Sequence, residues 1–208
     1  MVLHDRGGIC SGVVIAPDVV LTAAHCVPAG AAVRVHFREG GQPVLLQTQA
    51  LRRHPEYRAN AVQERKRSID LALIRTESPL PQRFVPATLS TGRIPAATAV
   101  VAAGYGLARE GDAATTGSWR SVPLRTIEPY GPSTVLLWAK GTAGSGACQG
   151  DSGGPITDAR QTVVAVTTWS TGRDGQACGD LTQGALVGAQ RSWIDSVLTS
   201  WGKAAAWN

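Results

Sequence analysis

An all-β fold in two lobes is what this 208-residue sequence predicts, and three observations predict it. Short β-type runs recur along the chain. Turn-forming residues separate them, with 24 glycines and 12 prolines in all. Only one segment has the periodicity of a helix. Such a density of breakers suits many short strands better than long helices. Hydrophobic residues make up 43% and charged residues 17%, which is the balance of a folded globular chain.

The strand runs are Gly12–Ala16, Val33–Phe37, Val44–Leu51, Ile69–Arg75, Ala99–Ala103, Val135–Trp138, Val163–Trp169 and Gly184–Val187. They read as an all-β barrel or sandwich. Between the fourth and fifth runs, residues 77–97 carry Pro79, Pro81, Pro86 and Pro95 and little periodicity. That stretch reads as a linker between a first lobe, residues 1–76, and a second, residues 98–188. Residues 189–201 form the helix, because Trp193, Val197 and Trp201 recur at i, i+4 and i+8 beside Ile194 and Leu198. It is a packing helix with no chemistry of its own.

The net charge of +5 is scattered, apart from the run Arg65-Lys66-Arg67, where a nucleic-acid binder would gather its charge on one face. Nucleic-acid binding is therefore not expected. No apolar stretch reaches the roughly 18 residues of a membrane helix, so membrane insertion is not expected either. The four cysteines, Cys10, Cys26, Cys148 and Cys178, form no C-x-x-C pair. An even count in a chain of this size points to two disulfides and an oxidising compartment, with three pairings open. The chain runs almost at once into strand-like sequence, so a leader segment is expected upstream and the localisation expected is secreted or periplasmic.

Three short motifs carry chemistry. Gly150-Asp151-Ser152-Gly153-Gly154-Pro155 sets a serine among small residues, where a tight exposed turn lets a substrate carbonyl approach. The amides of Gly150 and Ser152 would then converge as an oxyanion hole, each donor worth about 2.7–4 kcal/mol in the transition state. Leu21-Thr22-Ala23-Ala24-His25-Cys26 places a histidine against a half-cystine, which restrains it as a general base must be restrained. Ser68-Ile69-Asp70-Leu71-Ala72-Leu73-Ile74 embeds an aspartate in an apolar run, a cost met if it accepts the other ring proton of His25.

The segments TAAHC, HPEY (His54–Tyr57), DLAL, AGYG (Ala103–Gly106) and GDSGGP, in that order, resemble the chymotrypsin–trypsin serine protease family from Cys10 to Trp201. The resemblance implies two antiparallel six-stranded β-barrels with a C-terminal α-helix. It implies a catalytic triad of His25, Asp70 and Ser152 in the cleft between the barrels. It pairs Cys10 with Cys26 and Cys148 with Cys178, each bridge contributing roughly 3 kcal/mol on a chain-entropy model. The lack of further disulfides common in animal members resembles a bacterial-type minimal member. The implied activity is hydrolysis of protein or peptide substrates through an acyl-enzyme, by a monomer that calls for no cofactor and no metal.

By the same resemblance, the position six before the nucleophile sets charge preference. Here it is Gly146, where trypsin-like members carry Asp. The pocket is expected between Gly146, Ala147, Cys148 and Gln149 on one side and Thr168, Trp169 and Ser170 on the other, closed by residues 182–184. Small-to-medium uncharged P1 residues are expected, with aromatic ones next. One departure stands out. Members usually begin with Ile-Val-Gly-Gly, whose ammonium pairs with the carboxylate before the nucleophile, here Asp151. His4-Asp5-Arg6-Gly7-Gly8 reads as a hairpin turn instead. This leaves Asp151 without that counter-charge and opens a second reading, a zymogen-like or catalytically silent domain that binds partners.

Overall fold

The computed structural model describes residues 1–64, 66–142 and 144–208. The first lobe holds seven strands: β1 (Val2–His4), β2 (Gly8–Cys10), β3 (Val13–Ala16), β4 (Val19–Thr22), β5 (Val33–Glu39), β6 (Gln42–Arg53) and β7 (Ala72–Thr76). They lie in the order β2-β1-β5-β6-β7-β4-β3, antiparallel throughout. Their alternation is that of strands with one buried face. Val33, Val35 and Phe37 of β5 point inward while the residues between them are more exposed. The β5–β6 hairpin turns on Gly40 and Gly41, both at positive φ, the backbone that a tight two-residue hairpin requires.

The second lobe adds β8 (Thr88–Leu89), β9 (Ala99–Gly104), β10 (Arg120–Ile127), β11 (Leu136–Lys140), β12 (Pro155–Thr157), β13 (Val163–Thr171), β14 (Leu181–Leu186) and β15 (Ala206–Trp207). The order is β12-β9-β10-β11-β14-β13-β8-β15, and β12 also pairs with β13. That last pairing closes β9 to β14 into a six-stranded barrel, which removes exposed edges. β8 lies within residues 77–97 and pairs in parallel with β13 and β15.

Of the strands that the sequence runs did not mark, β4 and β10 are the longest. β4 is buried at every position and merges into the histidine motif. β10 contains Pro123, which normally argues against a strand interior. It is tolerated because residues 120–124 pair only with β9, and β11 joins from Arg125 onward.

The helix spans Arg191–Ser200 and follows a 3-10 turn over Gly188–Gln190. Ile194 and Leu198 are fully buried, and Trp193, Val197 and Trp201 flank them. One continuous core joins the lobes: Ile15, Leu21 and Leu73 of the first pack in the same cluster as Val166, Ile194 and Leu198. The Trp193 ring lies 4.7 Å from the His54 ring, so the helix also touches the first lobe directly. Burial holds the His54 imidazole below its usual value, and its Nδ1 accepts the Glu56 amide. His54 therefore supports the fold in its neutral form, a contribution present above the ordinary histidine range and lost as the pH falls.

Candidate active site

The Cys10–Cys26 disulfide ties the end of β2 to the turn after β4, and that turn presents His25. Cys26 is buried while His25 beside it is exposed to the cleft. Asp70 sits two residues before β7, flanked by the fully buried Ile69 and Leu71. These neighbours turn inward and leave the Asp70 carboxylate facing His25. Both carboxylate oxygens are used. Oδ2 lies 2.7 Å from His25 Nδ1, and Oδ1 accepts the His25 backbone N–H at 2.9 Å. The second bond fixes the rotation of the carboxylate, so the first holds the imidazole with Nε2 directed outward. The side chain of Asp70 is about one-fifth exposed, so its charge is met by these two donors and partial solvation rather than by full burial.

Ser152 comes from the other lobe, just ahead of β12. Its carbonyl accepts the Ser11 amide at 2.7 Å and lies 3.7 Å from Cys26 Sγ. The serine is thereby brought beside the residue that follows His25. The following turn needs Gly153. Its φ is +84°, and a Cβ there would lie 2.1 Å from Thr22 Oγ1 and 2.3 Å from the Ser11 carbonyl. Asp151 N donates to Cys148 O and Gly153 N to Thr167 O. The amides of Gly150 and Ser152 donate to no group among the described residues. No hydrogen bond joins His25 Nε2 to the Ser152 hydroxyl; such bonds commonly tighten only when substrate binds.

Asp151 is held by backbone amides through both carboxylate oxygens. Its Oδ1 accepts Gly106 N at 2.8 Å and its Oδ2 accepts Cys148 N at 2.9 Å. Burial raises its pKa, and the two amides and the nearby Arg120 guanidinium oppose that rise. Arg120 donates to the carbonyls of Gly106 and Thr115. It is a cation that the sequence did not point to as a counter-charge for Asp151. Because the folded-state value is raised, Asp151 supports the fold most when protonated, and that support is lost as the pH rises through the elevated value. Arg120→Gln is expected to move the Asp151 titration further up, read from its carboxyl carbon by NMR. A midpoint that stays put would show that Arg120 does not act on this carboxylate.

The predicted pocket residues divide between two places. Gly146, Ala147 and Cys148 line a cleft of about 490 Å3 together with Asp151 and Arg120, behind the nucleophile loop. Thr168, Trp169 and Ser170 lie on β13, opposite Gln183 and Thr182 of β14. Thr182 links the two sets, because its Oγ1 accepts the Ala147 amide at 3.0 Å. Gln149 is exposed at the rim. A Cβ at position 146 would lie 3.1 Å from the Gly179 backbone. Trp169 is 43% exposed and stands edge-on to Trp138, which is edge-on to Tyr130. This aromatic row draws on residues far apart in sequence and had no local signal. The second disulfide, Cys148–Cys178, joins the segment before the nucleophile to the loop before β14.

Of the basic run, Arg65 lies outside the described residues. Lys66 pairs with Glu64 and Arg67 with Glu56, so both spend their charge on neighbours. Among the described residues one group of possible metal ligands gathers, Cys10, His25 and Cys26. Both of its sulfurs are committed to the disulfide. No described helix is long and apolar enough to cross a membrane.

Comparison with known proteins gives a consistent picture. The family model described as Trypsin matches residues 1–192. Serine protease 56 of Mus musculus is 29% identical over 208 residues, covering 86% of this chain and 33% of its own. The chain thus spans a third of that relative's length. Vitellin-degrading protease of Bombyx mori is 28% identical, covering 92% of this chain and 76% of its own. The solved structure of neuropsin, a serine protease of mouse brain, superposes with a TM-score of 0.76 at 21% identity, covering 94% of this chain and 92% of that one. At that identity the likeness speaks for the fold, an all-β arrangement of two barrels with a short C-terminal helix.

Proposed function

Since this chain belongs to the trypsin family of serine proteases, we propose that it is a secreted serine endopeptidase, acting as a monomer on protein or peptide substrates through His25, Asp70 and Ser152. The observation that carries the proposal is the double hydrogen bond from His25 to Asp70, through Nδ1 and the backbone amide. Ser152 attacks the scissile carbonyl while His25 Nε2 takes its proton. Asp70 holds the proton on Nδ1 and stabilises the imidazolium. The oxyanion rests on the amides of Gly150 and Ser152, which have no competing acceptor among the described residues. His25 then protonates the leaving amine, and water reverses the sequence on the acyl-enzyme.

The preference proposed at P1 is for small-to-medium uncharged residues, then aromatic ones. Gly146 carries no carboxylate, and its tight approach to Gly179 leaves no room for one without movement of that loop. Thr182 at the base offers a hydroxyl rather than a charge. Two things weigh against the catalytically silent reading: the ordered His25–Asp70 pair, and the three groups that steady Asp151.

A fluorophosphonate probe and a peptide-library cleavage profile test the proposal. Labelling at Ser152 together with cleavage after uncharged residues is expected. Dominant cleavage after Arg or Lys would overturn the pocket assignment. Failure of the purified protein to label at all would favour the silent domain.

A further inference from the structure

The sheet of the first lobe breaks between β2, which ends at Cys10, and β3, which begins at Val13. Two residues, Ser11 and Gly12, leave the ladder. Ser11 instead turns every polar group it has toward the active loop or its neighbour strand. Its amide donates to Ser152 O at 2.7 Å. Its hydroxyl donates to Gly150 O at 2.9 Å and accepts Tyr105 N at 2.9 Å. Its carbonyl accepts the Thr22 hydroxyl at 2.8 Å. The residue itself is wholly buried.

We propose that Ser11 is a positioning residue for the oxyanion hole: its hydroxyl pins the Gly150 carbonyl toward the first lobe and thereby fixes the Gly150–Asp151 peptide, which lies between the two donor amides, those of Gly150 and Ser152. This rests on the peptidase reading of Ser152. The reasoning is one of satisfied groups. Gly150 has a φ of +94° and no side chain, so bonds on either side set its conformation: Gln149 O accepts Leu107 N at 2.8 Å, Asp151 N donates to Cys148 O at 3.0 Å, and Gly150 O accepts the Ser11 hydroxyl. A half-buried carbonyl that loses its donor seeks a new partner. Once the Ser11 hydroxyl is removed, rotation of the Gly150–Asp151 peptide is the available escape; it would break the bond from Asp151 N to Cys148 O and loosen the backbone that carries the donor amides on either side. The disulfide at Cys10 makes the pin stiff, because the residue before Ser11 is covalently tied to the residue after His25. The same short segment therefore sets the base and the oxyanion donors in one frame.

Ser11→Ala tests this, since it keeps the amide bond to Ser152 O and deletes only the hydroxyl. The expected result is a fall in kcat of roughly tenfold to a hundredfold, with KM within about twofold, as for a group that acts in the transition state. Affinity for a peptide aldehyde ending in alanine, which must form an oxyanion on Ser152, should fall by the same factor. Amide exchange at Tyr105 should accelerate, because it loses its acceptor. If S11A matches the parent in kcat and aldehyde affinity while the parent is active, the inference is overturned and the peptidase reading stands. If the parent neither cleaves nor labels, the peptidase reading fails, and exchange at Tyr105 and Asp151 decides the pin by itself: exchange unchanged in S11A overturns it. Should S11A fail to fold, Ser11→Thr, which keeps the oxygen, is expected to restore both fold and turnover; a threonine variant as defective as alanine rules the inference out.

Discussion

Ser152→Ala is expected to lower kcat about 10^6-fold while leaving the fold intact. The two halves of that expectation have separate causes. The hydroxyl is the group that forms the acyl bond, and the described residues offer no second nucleophile next to His25. What remains is the assistance of the amides of Gly150 and Ser152 and of substrate binding, on the order of 10^3–10^4 over water. Stability, by contrast, depends on the backbone of Ser152, whose carbonyl is held by Ser11. The hydroxyl itself makes no hydrogen bond with the described residues, so its removal should change the unfolding free energy by no more than about 0.5 kcal/mol. Steady-state hydrolysis and thermal melting, measured side by side, check both. Residual turnover above about one per cent of the parent would mean that another group performs the attack.

Asp70→Asn is the second large effect, expected to reduce kcat on the order of 10^4-fold with little change in KM. The geometry gives the reason. Asp70 accepts two hydrogen bonds from His25, one of them from a backbone N–H that can only donate. An asparagine has one acceptor oxygen. If that oxygen keeps the backbone bond, the amide NH2 faces Nδ1 and drives the ring proton to Nε2, where it blocks transfer from the serine. If it keeps the Nδ1 bond, two donors meet at the His25 backbone. Either way the histidine loses the tautomer or the position it needs. Proton NMR of the imidazole, which distinguishes Nδ1–H from Nε2–H, checks the first case. A variant of near-parental activity would remove Asp70 from the mechanism.

How much of this was legible in the sequence depends on the range over which each feature is encoded. His25, Asp70 and Ser152 each sit in a run of six or seven residues whose composition is unusual by itself, and His25 Nδ1 lies 2.7 Å from Asp70 Oδ2. The strands with clean alternation, such as β5, were equally plain. β1, β2 and β12 are three residues long, too short to show any period, and β10 carries a proline that only its half-open pairing permits. The supporting residues were hidden for another reason. Ser11 acts on a carbonyl 139 positions away, and Arg120 approaches Asp151 through the turn at Gly106. Nothing in the neighbourhood of either residue marks it, because their meaning arises from closure of the lobes. The expected poverty of charge around Asp151 likewise reckoned only with the chain start, and missed a cation supplied from β10.

The order in which the parts are made follows from where they lie. The histidine and the aspartate belong to one barrel and precede the serine, which follows some eighty residues after the aspartate, and the stretch that seals the seam between the barrels comes later still, at Ile194 and Leu198. A nascent chain emerging from the ribosome thus carries a base with nothing to deprotonate, and then a nucleophile not yet clamped against it. On the peptidase reading, a fragment that stops before Leu198 leaves this seam open and is expected to show no turnover.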